Sequence, residues 1–262
     1  MKIKKLFLLI LIFSCSEKKT DTSQVTGSLK EKLHKKMLHK KRYSYLEARK
    51  ILLGKIHLAG SGRNSYIEDV YCLKKFSNKD ISSKYKIGAG KVPDHTIINT
   101  EHVWPKSKFF SRKKRFNKRD RKSEFKTRET DLHILYPSDT HLNERRSSFK
   151  FGDVIDKDKR TVDFLCSEAQ LGKTLLKGRK SKDTFFEPPP KSKGNVARAM
   201  FYYSIRYNEP ISYYEESFLK KWNMQDPPDK FEKMRNDLIE HYQGNRNPFI
   251  DDYNLANQIE DF

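Results

Sequence analysis

A glutamate and a histidine stand side by side in this sequence, within Asn99-Thr100-Glu101-His102-Val103-Trp104-Pro105, and Asn143 follows farther along the chain. Arg145 and Arg146 come directly after that asparagine. Carboxylate and amide oxygens can hold a hard divalent cation, and a neutral imidazole can act as a general base. Arginines can clamp a phosphate. These residues together predict a hard-metal site with a general base and phosphate clamps, although each of them alone is a weak signal.

Strands and a helix must bring these side chains together. In a regular strand Glu101 and His102 would point to opposite faces, so they can share a site only at a strand end. Ser138 and Asp139 resemble a helix start, which predicts a helix from Thr140 with Asn143 in its first turns. β-Branched and aromatic residues predict strands at three places, which are Val70–Phe76, Thr96–Trp104 and Leu132–Tyr136.

Three further helices are predicted from capping and periodicity. A capping box at Ser44 and Glu47 predicts the first of them, and Asn195 is expected to cap the second. The second would bury a face made by Val196, Ala199, Met200, Tyr203 and Tyr207. Asp226-Pro227 is expected to open the third, which would end at Gly244 and turn inward Phe231, Met234, Leu238 and Tyr242.

Asp131 and His133 are a second pair of polar residues with chemical potential. They are two residues apart, so in a strand they would share one face. A hydrogen-bonded pair that holds the imidazole in place is favoured over a catalytic role, because such pairs are the norm in folded chains.

The charge of the chain points to a polyanionic partner. The 262 residues include 55 Lys and Arg and 34 Asp and Glu, for a net charge of +21. Nucleic acid is the first candidate and an anionic membrane or cell-wall polymer the second. The segment Lys106–Arg128 carries twelve basic and two acidic residues with four phenylalanines between them, which favours a phosphate-binding arm over a solvated loop.

The N-terminus has the features of an export signal. A basic start precedes an apolar run from Leu6 to Phe13 that is too short to span a bilayer. Ile12-Phe13-Ser14-Cys15 resembles a bacterial lipobox, in which the cysteine is lipidated, and an ordinary cleaved signal peptide is the alternative. Cys72 and Cys166 then remain as a pair in a compartment that permits oxidation, so one disulfide can form but none is required.

Several motifs, in this order along the chain, resemble the bacterial endonuclease I family of exported, sugar-nonspecific nucleases. The first are the Asn99–Pro105 motif and Asp131-Leu132-His133. The others are Pro137-Ser138-Asp139, Asn143, Arg146-Ser147, Phe186-Glu187-Pro188-Pro189, Lys193–Met200 and Gln243–Asp251. The resemblance extends over nearly all of the chain from Ser44 onward, and separated motifs in one order are more specific than any single one.

The resemblance implies a fold and a set of roles. The fold would be a mixed α+β single domain with a ββα-metal (His-Me finger) motif. Glu101 and Asn143 would hold one Mg²⁺, with Mn²⁺ or Ca²⁺ as possible substitutes, and Glu129 would lie in or beside its coordination sphere. His102 would be the general base. The roles assigned to cationic residues are a scissile-phosphate contact for Arg121, chosen among Arg115, Arg119 and Arg121, and substrate binding for Arg145, Arg146, Lys106 and Lys108.

The sequence departs from the family pattern at two places. Ile134 stands where many relatives have a second histidine, so that position is excluded as a ligand. Asp252-Tyr253 replaces a common His-Pro pair. Neither change removes a residue that the expected mechanism needs.

The expected protein is therefore an exported, monomeric, metal-dependent endonuclease that cleaves DNA and RNA with little sequence preference and leaves 5′-phosphate ends. Residues 1–14 would be the signal peptide, 15–32 a flexible tether and 33–262 the nuclease domain. The protein would be lipid-anchored at the cell envelope, in the outer membrane, or otherwise periplasmic or secreted. Two alternatives stay open, a membrane-tethered nucleic-acid-binding protein without catalysis and a nuclease restricted to RNA.

Overall fold

A computed structural model describes residues 28–38, 41–81, 84–110, 116–157 and 166–262. Its α-helices are, in chain order, α1 (Leu29–Lys36), α2 (Tyr45–Ile51), α3 (Lys118–Glu129), α4 (Thr140–Arg146), α5 (Pro190–Tyr207), α6 (Tyr213–Gln225), α7 (Lys230–Gln243) and α8 (Pro248–Asp251). A π-helical turn at Leu52–Ile56 continues α2. The 3₁₀ turns are Gly62–Asn64, Lys106–Lys108, Leu132–Ile134 and Tyr253–Gln258.

The strands are short and form several small sheets. They are β1 (Leu58–Ala59), β2 (Tyr66–Glu68), β3 (Lys75–Ser77), β4 (Ile98–His102), β5 (Leu135–Asp139), β6 (Lys150–Phe151), β7 (Asp156–Lys157), β8 (Gln170–Lys173), β9 (Leu175–Leu176), β10 (Arg179–Lys180) and β11 (Phe185–Glu187). The sheets have the orders β1-β2-β3, β4-β5, β6-β11-β8-β7 and β9-β10. Helices and strands are thus mixed in one domain, as the predicted α+β class requires.

The core is centred on α5, whose buried residues occupy nearly its whole circumference in the second half. The predicted face of Val196, Ala199, Met200, Tyr203 and Tyr207 is buried, so that prediction is confirmed. The predicted cap is wrong, because α5 begins at Pro190 and Asn195 lies inside the helix. Proline at the first helical position needs no amide partner, which explains the earlier start.

The capping box at Ser44 is confirmed. Ser44 Oγ accepts a hydrogen bond from the Glu47 amide, and Glu47 Oε2 accepts one from the Ser44 amide at 2.9 Å. A second capping box at Ser28 and Glu31 begins α1, which buries Leu33. This helix includes residues 29–32, the last four of the predicted tether. The signal peptide, Cys15 and residues 15–27 of the tether lie outside the described residues.

Two strand predictions need correction. Residues 70–76 are not one strand, because β2 and β3 pair as a hairpin around a tight turn. The Asp69 carboxylate accepts hydrogen bonds from the Tyr71 and Cys72 amides, which stabilises that turn, and Leu73 adopts a positive φ of 56°. The predicted strand Leu132–Tyr136 begins as a 3₁₀ turn, and β5 runs through Pro137 to Asp139.

Helix α7 is turned differently from the prediction. Gly244 ends it with a φ of 84°, as expected. Phe231 and Met234 are exposed, however, and the buried residues are Glu232, Arg235, Asn236, Ile239 and Gln243.

Within the described residues, none of the helices combines the length and apolar character that crossing a membrane would require.

Buried His57 lies against α7 and gives the fold a pH dependence. Arg235 Nε donates to His57 Nε2 at 3.2 Å, and burial, reinforced by the Arg235 charge, holds the pKa of His57 well below 6.5. The folded state therefore takes up the His57 proton less readily than the unfolded state. As pH falls below about 6.5, the unfolded state gains protons and the free energy of unfolding decreases.

We expect His57→Gln, which does not titrate, to reduce this acid destabilisation by up to about 1.4 kcal/mol per pH unit. Urea denaturation at neutral and mildly acidic pH measures the slope. The matched control is His241→Gln, because His241 is an exposed histidine on α7, the helix that His57 packs against. Equal slopes for the two variants would show that His57 does not cause the effect.

Candidate active site

The candidate site lies where β4 ends beside β5 and α4. β4 and β5 are antiparallel, with Glu101 opposite Tyr136 and His102 opposite Leu135. α4 follows β5 directly, because Asp139 caps it by accepting from the His141 and Leu142 amides at 2.9 and 3.3 Å. This confirms the predicted helix start at Thr140. Residues of β4 and α4, together with neighbouring segments, line an open cleft of about 660 Å³.

Glu101, His102 and Asn143 all line this cleft. His102 is the last residue of β4, so Glu101 and His102 lie at a strand end. This is the position at which the two side chains were predicted to share a site. Lys106 and Arg146 also line the cleft. The structure therefore brings together the predicted carboxylate, imidazole and amide.

Two residues hold the buried Glu101 carboxylate. The Tyr71 hydroxyl donates to Oε1 at 2.7 Å, and an Arg146 guanidinium nitrogen lies 3.1 Å from the same oxygen. Burial raises the pKa of Glu101, while the Arg146 charge and the Tyr71 hydrogen bond oppose the rise. Both of these side-chain contacts are to Oε1.

The His102 ring is oriented by the backbone of α3. Its Nε2 lies 2.9 Å from the carbonyl oxygen of Glu129. A carbonyl can only accept, so Nε2 carries the proton and Nδ1 has the lone pair. Burial lowers the pKa of His102 to about 3, and the positive charges of Lys106 and Arg146 add to the effect. The imidazole is therefore neutral at physiological pH and can accept a proton.

Asn143 is held by a second asparagine. Its Nδ2 donates to Asn99 Oδ1 at 2.7 Å, which leaves Asn143 Oδ1 as the amide atom suited to a cation. Asn99 lies two residues before Glu101, and alternation along β4 places the two on the same side of the strand. Asn99 belongs to the sequence motif, but no role was predicted for it, although its two-residue spacing from Glu101 was the signal that pointed to one.

Other predicted site residues lie elsewhere. The Glu129 carboxylate does not line the cleft and instead lies 3.4 Å from Lys106 Nζ, so its backbone carbonyl is what reaches the site. Lys108 Nζ donates to the Ser148 carbonyl and lies outside the cleft. Arg121 lies on α3 with its guanidinium 4.9 Å from the centre of the Phe110 ring.

The two arginines after Asn143 differ from one another. Arg145 is exposed, whereas Arg146 is buried. Arg146 contacts Glu101 and donates to the Val103 carbonyl at 2.6 Å, and it stacks 4.5 Å from the Phe151 ring centre. Arg146 therefore supports the Glu101 carboxylate rather than extending toward solvent as a phosphate clamp. Among the arginines weighed for the scissile phosphate, Arg119 is exposed on α3 and Arg115 falls outside the described residues.

Cys72 and Cys166 form a disulfide, with Cα atoms 5.5 Å apart. The sequence left this pairing open. Cys72 lies in the turn that also carries Asp69 and Tyr71, so the bridge ties that turn to the β8 region. Tyr71 had no sequence signal as a site residue, because its contact with Glu101 depends on how the turn folds back onto β4.

Asp131 and His133 lie in structural surroundings, although the imidazole is hydrogen-bonded to Asn245 and not to Asp131. Asp131 accepts from the Tyr202 and Tyr207 hydroxyls at 3.0 and 2.7 Å, and His133 Nε2 lies 3.1 Å from the Asn245 carbonyl. Asp131 also accepts from the His133 amide, so the bond between them involves the backbone. Neither residue lines the candidate cleft.

The donor set of the cleft is small. In the part of the chain that the structure describes, no group of three or more His, Cys, Asp or Glu side chains is arranged to hold a metal ion. Among its lining residues, the cleft offers the Glu101 carboxylate and the Asn143 amide oxygen, since the Asn99 amide oxygen already accepts from Asn143 Nδ2. Such a set is unlike the closed cages of structural zinc sites, which use four protein ligands rich in sulfur and nitrogen.

Comparison with known proteins shows a family match over most of the chain. The profile of the family described as Endonuclease I matches residues 25–254. An "Extracellular ribonuclease" of Bacillus subtilis (strain 168) is 31% identical over 199 residues, which is 68% of this chain and 58% of the relative.

Two other relatives have related names. An "Endonuclease-1" of Buchnera aphidicola subsp. Acyrthosiphon pisum (strain APS) is 33% identical over 174 residues, or 64% of this chain and 65% of the relative. An "Extracellular deoxyribonuclease" of Aeromonas hydrophila is 30% identical over 193 residues, or 69% of this chain and 78% of the relative. The match to this chain thus spans less than two thirds of the Bacillus and Buchnera proteins.

Proposed function

Because the chain belongs to the endonuclease I family, we propose that it is an exported, metal-dependent endonuclease that hydrolyses phosphodiester bonds. Its substrates are DNA and RNA, it has little sequence preference, and its products have 5′-phosphate and 3′-hydroxyl ends. The names of the relatives, a ribonuclease and a deoxyribonuclease among them, support both nucleic acids as substrates.

One observation carries the proposal. Glu101, His102 and Asn143 line the same cleft, and His102 is fixed with its Nδ1 as the basic atom. Strand β4 supplies Glu101 and His102 and helix α4 supplies Asn143, and β5 pairs with β4 and leads directly into α4, which supports assignment to the ββα-metal type of site.

The donor chemistry of the cleft fits one hard cation. A carboxylate oxygen of Glu101 and the Asn143 amide oxygen are ligands that Mg²⁺ accepts, and Mg²⁺ commonly keeps several waters and binds substrate phosphates. When bound, the cation would stabilise the negative charge that develops on the phosphate and the leaving oxygen. Mn²⁺ or Ca²⁺ could occupy the same donors.

The side chains have distinct tasks in the reaction. His102 Nδ1 takes a proton from the attacking water, while Nε2 stays hydrogen-bonded to the Glu129 carbonyl and keeps the ring oriented. That carbonyl also stabilises the imidazolium that forms. The water attacks phosphorus in line with the 3′ oxygen, which departs and takes up a proton from solvent water, and His102 then releases its proton to solvent. Tyr71, Arg146 and Asn99 hold the carboxylate and the amide in position.

Export and anchoring complete the proposal. The predicted signal peptide and the lipobox-like Cys15 support transfer across the inner membrane and lipidation, with Ser16 compatible with outer-membrane sorting. The names of two relatives include the word extracellular, which agrees with export. The nuclease domain acts as a monomer on substrates outside the cytoplasm.

The test is incubation of the purified soluble chain, without residues 1–15, with supercoiled plasmid and with RNA, each with Mg²⁺ or EDTA. We expect degradation of both substrates with Mg²⁺ and none with EDTA. The DNA fragments should be ligatable without prior phosphorylation, because their ends would carry 5′-phosphates. Salt-sensitive binding of DNA without new ends would instead support the binding-protein alternative, and cleavage of RNA alone would support the RNA-restricted nuclease.

A further inference from the structure

A second groove, of about 630 Å³, lies between α3 and the 3₁₀ turn at Lys106–Lys108. We call it the α3 groove. Its helical wall is formed by Lys118, Arg121, Lys122, Phe125, Lys126 and Glu129. These positions recur at intervals of three and four residues, so they form one face of the helix.

The charges on α3 are sorted between its faces. Four cations of α3 and one acid, Glu129, line the groove, whereas the acidic residues Asp120 and Glu124 do not. Glu124 is paired with Arg128 at 2.9 Å, and Asp120 is held by Asn117 at the start of the helix. Lysines at positions 118, 122 and 126 repel each other at i, i+4 spacing, which weakens the helix unless an anion lies against them. A merely solvated helix needs no such separation of charge.

The aromatic residues of the groove are already engaged. Guanidinium groups of Arg121 and Arg128 lie 4.9 and 4.5 Å from the centre of the Phe110 ring, and the Phe116 ring packs against it in a T-shaped arrangement with the ring centres 5.3 Å apart. Stacking on Phe110 holds Arg121 at the groove. With its ring in these contacts, Phe110 is poorly placed to stack on a nucleobase, whereas the cations are well placed to contact phosphates.

The α3 groove adjoins the candidate active site. Lys106 and Ser107 line both cavities, so an extended polyanion can lie in the two at once. Lys106 is also the cation paired with the Glu129 carboxylate, the one acidic residue of the groove. With that pair set aside, the four cations of α3 leave the groove with a net positive charge.

We propose that the α3 groove binds the phosphodiester backbone of the substrate strand beside the scissile bond. The inference rests on the proposed nuclease function and adds a second binding region to it. Backbone binding of this kind holds long substrates without reading their sequence, and it weakens as salt concentration rises.

The test compares two triple variants. Lys118→Ala, Lys122→Ala and Lys126→Ala together remove three groove cations. The control replaces Lys79, Lys182 and Lys233, exposed lysines that line neither cavity, by alanine. Binding to duplex DNA is measured in EDTA over a range of salt, and hydrolysis is measured with Mg²⁺ on plasmid and on bis(p-nitrophenyl) phosphate, a diester too small to reach the α3 groove from the cleft.

For the groove variant we expect a weaker salt dependence: the negative slope of log K against log salt should become shallower by roughly 0.9 for each phosphate that the groove no longer neutralises. The Kd for duplex DNA should rise at least about tenfold. The Michaelis constant for plasmid should rise with it, while hydrolysis of the small diester should match wild type. The control should resemble wild type in all three assays.

The single charge reversal Lys122→Glu should also weaken DNA binding. Circular dichroism verifies the folding of every variant.

Two results would overturn the inference. One is equal DNA binding by the groove and control variants, and the other is an equal loss of activity on the small diester and on plasmid, which would place these lysines in the cleft chemistry. A wild-type protein that cleaves neither substrate would refute the nuclease function separately, since the binding assay in EDTA still decides whether the groove holds nucleic acid.

Discussion

Replacing His102 by alanine is expected to lower kcat by about 10² to 10⁴, the usual contribution of a general base. Nδ1 is the basic atom of the His102 ring, because Nε2 is committed to the Glu129 carbonyl. Binding of DNA should be largely unchanged, since the neutral imidazole contributes no charge to phosphate binding. Single-turnover cleavage of plasmid at saturating enzyme measures the chemical step, and filter binding in EDTA measures affinity.

The control for this prediction is His141→Ala. His141 is exposed on α4, close in sequence to Asn143, and does not line the cleft. It should cleave at the wild-type rate. Near-normal cleavage by His102→Ala would show that another group is the base, and a parallel loss of DNA affinity would show that His102 acts in binding rather than in proton transfer.

The residues that meet in the cleft were predictable because local rules position each of them. A strand end lets Glu101 and His102 share one site, and the Asp139 cap fixes where α4 begins and so where Asn143 points. These features depend on residues near one another in the sequence. The order of the motifs then gave the family, which the profile match over residues 25–254 confirms.

The orientation of α7 could not be predicted in this way. Hydrophobic periodicity favoured burying Phe231 and Met234, but the structure buries Arg235, whose guanidinium donates to the Leu132 and Leu135 carbonyls at 2.7 and 3.0 Å. Gln243 likewise donates to Asp131 at 2.8 Å. The buried backbone of the 3₁₀ turn at Leu132–Ile134 requires hydrogen-bond partners, and a polar helix face supplies them. Such a need arises only from contacts distant in sequence.

Long-range contacts also decided the roles of charged residues in the site. Composition predicted an arm between β4 and β5, but the helix α3 within it was not predicted, and this helix delivers the Glu129 carbonyl to His102. Arg145 and Arg146 were both predicted to bind the substrate, with no difference between them. A one-residue step along α4 rotates the side chain by about 100°, so one is exposed and the other is directed into the protein.

The buried pair of Arg146 and Glu101 leads to the second large expected effect. Their side chains are 1% and 4% exposed, with a closest distance of 3.1 Å. Replacing Arg146 by methionine keeps much of the packing against Phe151 but leaves the Glu101 carboxylate buried without its cation. We expect the free energy of unfolding to fall by about 3 to 5 kcal/mol, because an uncompensated buried charge is costly.

Urea denaturation at neutral pH measures this loss. The matched control is Arg145→Met, which removes a neighbouring but exposed arginine. The control should change the free energy of unfolding by no more than about 0.5 kcal/mol. The double variant Arg146→Met with Glu101→Gln should regain part of the loss, because no buried charge then remains unpaired. Equal stability of the Arg146 and Arg145 variants would mean that Arg146 does not support the carboxylate, and it would restore Arg146 as a candidate phosphate ligand. Without recovery in the double variant, the cost would have to come from the missing hydrogen bonds to Val103 and the weaker packing on Phe151 rather than from the charge of Glu101.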